Sequence, residues 1–299
     1  MAREMTGATR RAMLHGDMGT PWDRAADGYL EHWIPRFLPY HLDLVRELAI
    51  EEGTRALVTS SGPGGNELLA IARAVGEKGH VRATDASARM VEICREQVKT
   101  AGFSERVQCA QADAAAVPDG PYDAIVCAFG LWQIVERELT LRSWSRGLAA
   151  HGKVGVIAWG PAEVDDPFEQ MRAILAELEP EVATHSHQVA STRDVIAKMF
   201  QEAELSLVRH TVVRHTLTFS TAESFVEALR ESCTFRRVWE TLGDERFARV
   251  AAKFYDRVGG PQKPLTFDPP ATIAIAARPG DEVTLAHTKV KAPGVARRP

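Results

Sequence analysis

The residues best suited to chemistry lie in the stretch Ala56–Leu69, "ALVTSSGPGGNELL". Glycines at 62, 64 and 65 permit left-handed backbone and let a ligand approach the main chain closely. A helical pattern opens near Asn66, so free N–H groups and a positive dipole end point at whatever the turn holds. Val58 stands on the entering apolar run, where turns that hold a nucleotide usually carry an acid, and Ser60 stands where a glycine is usual. Asp85 ends the next apolar run. That is roughly the spacing at which an acidic side chain hydrogen-bonds ribose hydroxyls in dinucleotide folds. An adenosine-containing ligand fits this pair of features.

The elements that must position these residues follow a regular rhythm. "RALVTS", "HVRATD", "VQCAQAD", "YDAIVCAFG" and "KVGVIAWG" read as strands. "GNELLAIARAVG", "SARMVEICREQVKTAG" and "LTLRSWSRGLAAHG" read as the helices between them, Ser87 being an N-cap and Gly102 a stop. Strict alternation of this kind predicts an α/β, doubly wound (Rossmann-like) sheet with helices on both faces and ligands at the carboxyl ends of the strands. "LSLVRHTVVRHTLTF" predicts one long sixth strand and "PATIAIAAR" a seventh, giving a seven-stranded, mostly parallel sheet. Upstream, "WDRAADGYLEHWIPRFLPYHLDLVRELAI" predicts a helical lid broken at Pro35 and Pro39. Residues 161–204 and 221–258 read as helical cap insertions over the ligand end of the sheet. The expected organisation is a lid segment over 1–21, one domain over 22–278, and a disordered tail over 279–299.

Two kinds of adenosine ligand compete for the turn. A nicotinamide cofactor favours a third glycine three places after the second, where Glu67 stands, and no Tyr-xxx-Lys pair is present. From about Trp22 to Gly160 the chain instead resembles class I S-adenosylmethionine-dependent methyltransferases, in the ubiquinone/menaquinone-biosynthesis-like branch that acts on small molecules. The resemblance is carried by "WDRAADGY", "SSGPGGNE", "ATDASARMVEICREQ", "AQADAAAVP" and "YDAIVCAFGLWQI", in order and spacing. It implies S-adenosyl-L-methionine as cofactor and S-adenosyl-L-homocysteine as product.

Roles follow from the same resemblance. Gly62 and Gly64 pass under the methionine part, and Asp85 grips the ribose hydroxyls. Ala86 and Met90 pack near the adenine, while Asp113 and the backbone of Ala114 read its amino group. Phe129 lines the sulfonium region, with Trp132 and Gln133 behind it. Trp22 and Tyr29 belong to the lid, and Ser60 is one of three hydroxyls (with Thr59 and Ser61) that bind water or carboxylate in place of the missing acid. Plainer roles stand beside these: Asp85 as a helix cap, Asp113 as a turn residue, and Trp22, Tyr29 and Met90 as core.

A carbon or amine acceptor needs little more than alignment, whereas a hydroxyl acceptor benefits from a base, usually histidine. His15, His185 and His187 qualify by location alone; His151, His210 and His215 read as structural. No catalytic residue is assigned. The implied reaction is methyl transfer to an O, N or C atom of a small, fairly hydrophobic metabolite, of natural-product or quinone-like kind. Val58 and Ser60 keep two other readings open: a cofactor-binding cyclase or isomerase that does not methylate, and a binding protein with a decayed site.

Bulk properties exclude other classes. Of 299 residues 45% are hydrophobic and 25% charged, the make-up of an ordinary globular chain. A net charge of −4 with no basic-aromatic face argues against a nucleic-acid partner. No apolar run reaches membrane-spanning length. Cys94, Cys109, Cys127 and Cys233 form no CxxC pair and suit reduced thiols without a metal. A cytoplasmic location is expected. The oligomeric state stays open, a homodimer being one option.

Overall fold

Side chains alternate along the strands and so sort the chain into two cores. β1 (Arg55–Thr59) turns Ala56 and Val58 to one face and Leu57 to the other. β2 is His80–Asp85, β3 Val107–Gln111 and β4 Tyr122–Ala128. In β4, Ala124, Val126 and Ala128 join the first core, and Ile125 and Cys127 the second. Burial on both faces is what a central parallel strand requires. β5 (Leu148–Trp159), β6 (Ser206–Arg214), β7 (Leu217–Phe219), β8 (Leu265–Phe267) and β9 (Pro270–Ala277) follow.

This computed structural model describes residues 19–161, 163–182, 192–286 and 288–293. The main sheet has the order β3-β2-β1-β4-β5-β9-β6, and β9 runs antiparallel to both β5 and β6. It is the doubly wound, seven-stranded, mostly parallel sheet that the alternation predicts. Strand order reverses between β1 and β4, so a crevice opens at their carboxyl ends.

Helices cover both faces. α1 (Gly19–Gly28) runs through a π-helical turn, Tyr29–Trp33, into α2 (Ile34–Leu48). α2, α3 (Glu67–Ala74) and α4 (Ala88–Thr100) bury Leu44, Leu48, Leu68, Ile71 and Val98 in the first core. α5 (Arg137–Gly147) and α7 (Arg193–Glu202) bury Leu141, Trp144, Ile196 and Phe200 in the second. Between β5 and β6 lies α6 (Pro167–Leu178) ahead of α7; between β7 and β8 lie α8 (Ala222–Arg230) and α9 (Cys233–Val258), kinked at Gly243. Phe225 of α8 anchors this region: its ring centroid lies 5.3 Å from Phe168, 5.1 Å from Phe219 and 5.4 Å from Phe254. Such offset and edge-to-face pairs add about 0.5–1.5 kcal/mol each beyond burial.

Three expectations are corrected. Pro35 and Pro39 do not break the helix: Pro35 sits in the first turn of α2, where a missing N–H costs nothing, and Pro39 lies inside it. Phe37, Tyr40, Leu44 and Leu48 are buried along α2, and that packing outweighs the lost bond. The predicted long strand over 205–219 is two strands: His215 leaves the sheet after β6, and β7 pairs antiparallel with β8 instead.

The described residues of the tail, 279–286 and 288–293, are also structured rather than disordered. β10 (Glu282–Leu285) and β11 (Thr288–Lys291) pair antiparallel, and Val283 and Leu285 are buried. Lys153 Nζ donates to the Thr284 carbonyl at 2.9 Å, fastening the hairpin to β5. Two alternating apolar residues suffice because the sheet supplies the rest of their core; a polar composition hides them.

Candidate cofactor-binding site

The turn after β1 is built on positive φ. Ser60 has φ 53°, Gly62 56° and Gly64 81°. Ser60 therefore adopts the left-handed conformation for which a glycine is usual, at a cost of about 1–3 kcal/mol. It cannot relax toward Gly130, whose Cα hydrogen faces it: a Cβ added at Gly130 would meet Ser60 Cβ at 2.6 Å. Phe129, at the end of β4, is left-handed too, with φ 53°. Strain concentrated at two residues that face one crevice marks that crevice as the place where backbone shape matters.

One carboxylate ties the crevice together. Asp85 Oδ2 accepts the Gly62 N–H at 2.9 Å, and Oδ1 accepts the Ser87 N–H at 2.9 Å. Burial raises its pKa above the ordinary carboxylate value; the Ser87 and Gly62 bonds pull it back down, and Asp23 pushes it up further. Ser87 Oγ accepts from the Met90 N–H at 3.0 Å and donates to Asp23 Oδ1 at 2.5 Å. Asp23 also accepts the Arg89 N–H at 3.0 Å, so α1 is fastened to the start of α4. Asp23 was not singled out in the sequence; it caps a helix on another element, a relationship that no local pattern displays.

Across the crevice, Trp22 Nε1 donates to Gln133 Oε1, joining α1 to the loop after β4. Trp22 packs edge-on to Tyr29 at 5.3 Å. Burial first, then the Glu67 and Asp85 charges, raise the Tyr29 hydroxyl pKa far above its usual value. Asp113 Oδ1 accepts the Ala115 N–H at 2.7 Å and forms a tight turn. Gln111 Nε2 donates to the Ala86 carbonyl at 2.9 Å, holding that turn beside α4.

These contacts border a crevice of about 1150 Å³ that is open to solvent. Trp22, Tyr29, Ser60, Gly62, Asp85, Ala86, Met90, Asp113, Ala114 and Phe129 all line it, as does Gln133. Gly64 does not. A Cβ placed there would lie 2.8 Å from Cys94 Sγ and 3.0 Å from Cys94 Cα, so Gly64 serves close packing on α4 rather than the cavity. Met90 is also core, packed with Ala26 and Ile93.

A second cavity of about 890 Å³ adjoins the first and shares Trp22, Tyr29 and Phe129 with it. Trp33, Phe37, Trp132, Trp159, Phe168 and Phe235 line it, with Asp166, Glu169 and Arg172 on one side. Phe129 and Trp159 lie 4.4 Å apart at its floor. Asp166 caps α6 by accepting the Phe168 N–H at 2.7 Å, and burial raises its pKa to about 6. Glu169 and Arg172 pair with each other.

No histidine among the described residues lines either cavity. His15, His185 and His187 lie outside the described residues. His151 is exposed, His210 pairs with β9, and His215 Nε2 lies 2.7 Å from Asp43 Oδ2. The sequence reading missed His41. It is buried, with Nδ1 2.5 Å from Oε2 of the equally buried Glu67. Its ring packs edge-on to Phe129 at 5.4 Å. Glu67, the residue that stands in for the third glycine, therefore joins the lid helix to the turn. No group of side chains among the described residues is arranged to hold a metal ion. No helix among them is long and apolar enough to cross a membrane.

Residues 57–152 fit the family profile described as a methyltransferase domain. Those residues carry a methyltransferase domain. A ubiquinone/menaquinone biosynthesis C-methyltransferase from Teredinibacter turnerae is 34% identical to it over 111 residues, 36% of this chain and 44% of that protein. The methyltransferase domain thus spans less than half the length of that relative. A S-adenosylmethionine-dependent methyltransferase from Geobacter sulfurreducens, solved with S-adenosylhomocysteine, superposes with a TM-score of 0.54 at 18% identity, over 84% of this chain and 96% of that one. The cyclase SpnF superposes with a TM-score of 0.55 at 17% identity, over 92% and 96%. At these identities the likeness is one of fold.

Proposed function

We propose that the chain binds S-adenosylmethionine in the crevice at the ends of β1, β2 and β4 and transfers its methyl group to an O, N or C atom of a small, fairly apolar acceptor. The acceptor, a flat natural-product or quinone-like molecule, occupies the adjoining aromatic cavity. One observation carries the reading: the two cavities meet at Trp22, Tyr29 and Phe129, so ligands in each would touch across a shared wall. The quinone-related C-methyltransferase among the relatives supports the substrate class.

The residues fit the cofactor. A Cβ on Gly62 would meet nothing nearer than Asn66 Nδ2 at 4.0 Å, so its Cα faces open space that a ligand can fill. Each Asp85 oxygen uses one lone pair on the backbone and keeps another for a ribose hydroxyl. When bound, the sulfonium supplies the activated methyl group, and the hard chemistry is its own. What the chain contributes is alignment and dryness. Phe129, held left-handed and packed at a tilt against Trp159, sets the wall between donor and acceptor. Trp22 of α1 and Tyr29 of the π-helical turn close the crevice from that side. An activated carbon or an amine would need little beyond this alignment, whereas a hydroxyl acceptor would call for a base.

The same fold without methyl transfer is the second reading. The missing acid at Val58, the strained Ser60 and the cyclase fold neighbour favour it. Calorimetric titration of S-adenosylmethionine and S-adenosylhomocysteine, with Asp85→Ala alongside, tests binding. Micromolar affinity that largely disappears in the variant supports the site; no binding at millimolar ligand to folded protein overturns it. Formation of S-adenosylhomocysteine with a panel of flat apolar acceptors then separates transfer from rearrangement.

A further inference from the structure

Two thiols that take no part in the proposed reaction face each other beneath the turn. Cys94 of α4 and Cys109 of β3 bring their sulfurs to 3.2 Å, and either can donate to the other. Cys94 is buried, while Cys109 is partly exposed and offers the way in. Arg95 donates to the Cys109 carbonyl at 3.0 Å, and Arg82 stands one residue over on the neighbouring strand, paired with Gln108 at 2.9 Å. The hydrogen bond from Cys94, then the Arg95 and Arg82 charges, lower the Cys109 pKa against its burial. Thiolate character at an accessible, electropositive position is what makes a cysteine reactive.

Cys94 is also the floor of the turn. A Cβ at Gly64 would lie 2.8 Å from its Sγ, 3.0 Å from its Cα and 3.2 Å from its Cβ, so the backbone between β1 and α3 rests directly on this residue. Any displacement of Cys94 reaches the turn that carries Ser60 and Gly62.

We propose that Cys94 and Cys109 form an oxidisable pair whose disulfide loosens the turn over residues 60–66. The oxidant is a low-molecular-weight disulfide, and its carboxylates, as in glutathione disulfide, suit Arg95, whose guanidinium lies against the Cys109 carbonyl. The Cys109 thiolate attacks one sulfur of that disulfide; its S–S bond breaks and one thiolate leaves, taking up the proton Cys109 lost. Cys94, deprotonated, then attacks the Cys109 sulfur and expels the second thiol, which carries the Cys94 proton. Two protein thiols are oxidised to one disulfide, and one small disulfide is reduced to two thiols. Forming the bond closes the sulfurs from 3.2 Å to about 2.0 Å. Cys94 turns toward β3 and the support under Gly64 is withdrawn.

The consequence for cofactor affinity rests on the reading of the crevice given above; the bond and the loosening do not. The experiment treats the whole chain with glutathione disulfide or with a reductant. Peptide mass spectrometry then looks for the loss of two hydrogens across Cys94 and Cys109, and hydrogen exchange is followed over residues 60–66, with S-adenosylhomocysteine titrated into both forms. We expect the linked peptide, several-fold faster exchange in the turn, and affinity weaker by roughly tenfold, the scale of one lost contact. Cys109→Ser, or Cys94→Ala should the first fold poorly, abolishes the link and the redox dependence. A folded chain that forms no link, or a linked chain whose turn exchanges as before, overturns the proposal. Failure of both redox forms to bind S-adenosylhomocysteine overturns the cofactor reading instead and leaves the exchange result to decide this one.

Discussion

Asp85 Oδ2 accepts the Gly62 N–H at 2.9 Å, so the residue expected to hold a ribose already holds the glycine turn. A single carboxylate at the end of β2 does for this turn what an acid on β1 would do elsewhere. Asp85→Asn keeps the shape but can offer only one acceptor oxygen, leaving an NH₂ against either Gly62 or Ser87. The loss of one buried acceptor is expected to cost about 1–3 kcal/mol. Urea unfolding and hydrogen exchange across 60–66 should show lower stability and a looser turn even without ligand.

Val58 is fully buried in the first core, in one cluster with Leu68, Ala83 and Val126. Restoring the usual acid there puts an unpaired carboxyl among apolar side chains, a penalty of several kcal/mol, on the order of 3–5. Val58→Asp is therefore expected to destabilise the chain and to weaken S-adenosylhomocysteine binding. Tighter binding in calorimetry would show that the turn still has room for its missing acid.

Ser60 carries its left-handed strain on a side chain that no glycine would need. Ser60→Gly relieves roughly 1–2 kcal/mol of conformational strain and adds about 0.5–1 kcal/mol of chain entropy to the unfolded state. A small net gain in stability follows. Ser60→Val, β-branched at the same φ, is expected to lose about 2 kcal/mol or more. Parallel urea titrations of the two variants check the sign of each.

Asp166 has its pKa raised by burial from 3.8 to about 6 in the folded chain. A carboxyl shifted upward stabilises the fold below its unfolded pKa, and that contribution is lost as pH rises through the folded value. Stability should therefore fall between about pH 4 and pH 6 on account of this group. Asn caps a helix as well as Asp does. Asp166→Asn is thus expected to remove this pH dependence, with a gain near pH 7 of at most about 2–3 kcal/mol that vanishes by about pH 4. Melting temperatures of both proteins across that range provide the check.

The strands and helices from Arg55 to Trp159 were legible because their signals are local, except that Leu148–Gly152, read as the end of a helix, instead open β5. Period-two burial, Ser87 as N-cap and glycine stops each act within a turn or two of chain. Asp85, Asp113 and Phe129 could be placed on one crevice because strand ends in a doubly wound sheet converge there whatever the loops do. The long strand over 205–219 and the tail failed as readings for the opposite reason. Whether Leu217 pairs with β9 or with Phe267, and whether Val283 finds a core, depends on partners far along the chain.

The site divides in the same way. The sequence by itself determined the glycine turn, the acid that faces it and the family profile they belong to, since each rests on residue type at short spacing. Only the tertiary structure decided that Gly64 packs on Cys94, that Glu67 is buried against His41 on α2, and that a second, aromatic cavity shares Phe129 with the first. Those are contacts between elements, and their geometry is set when separate faces of the sheet are packed together, where no single stretch of chain records it.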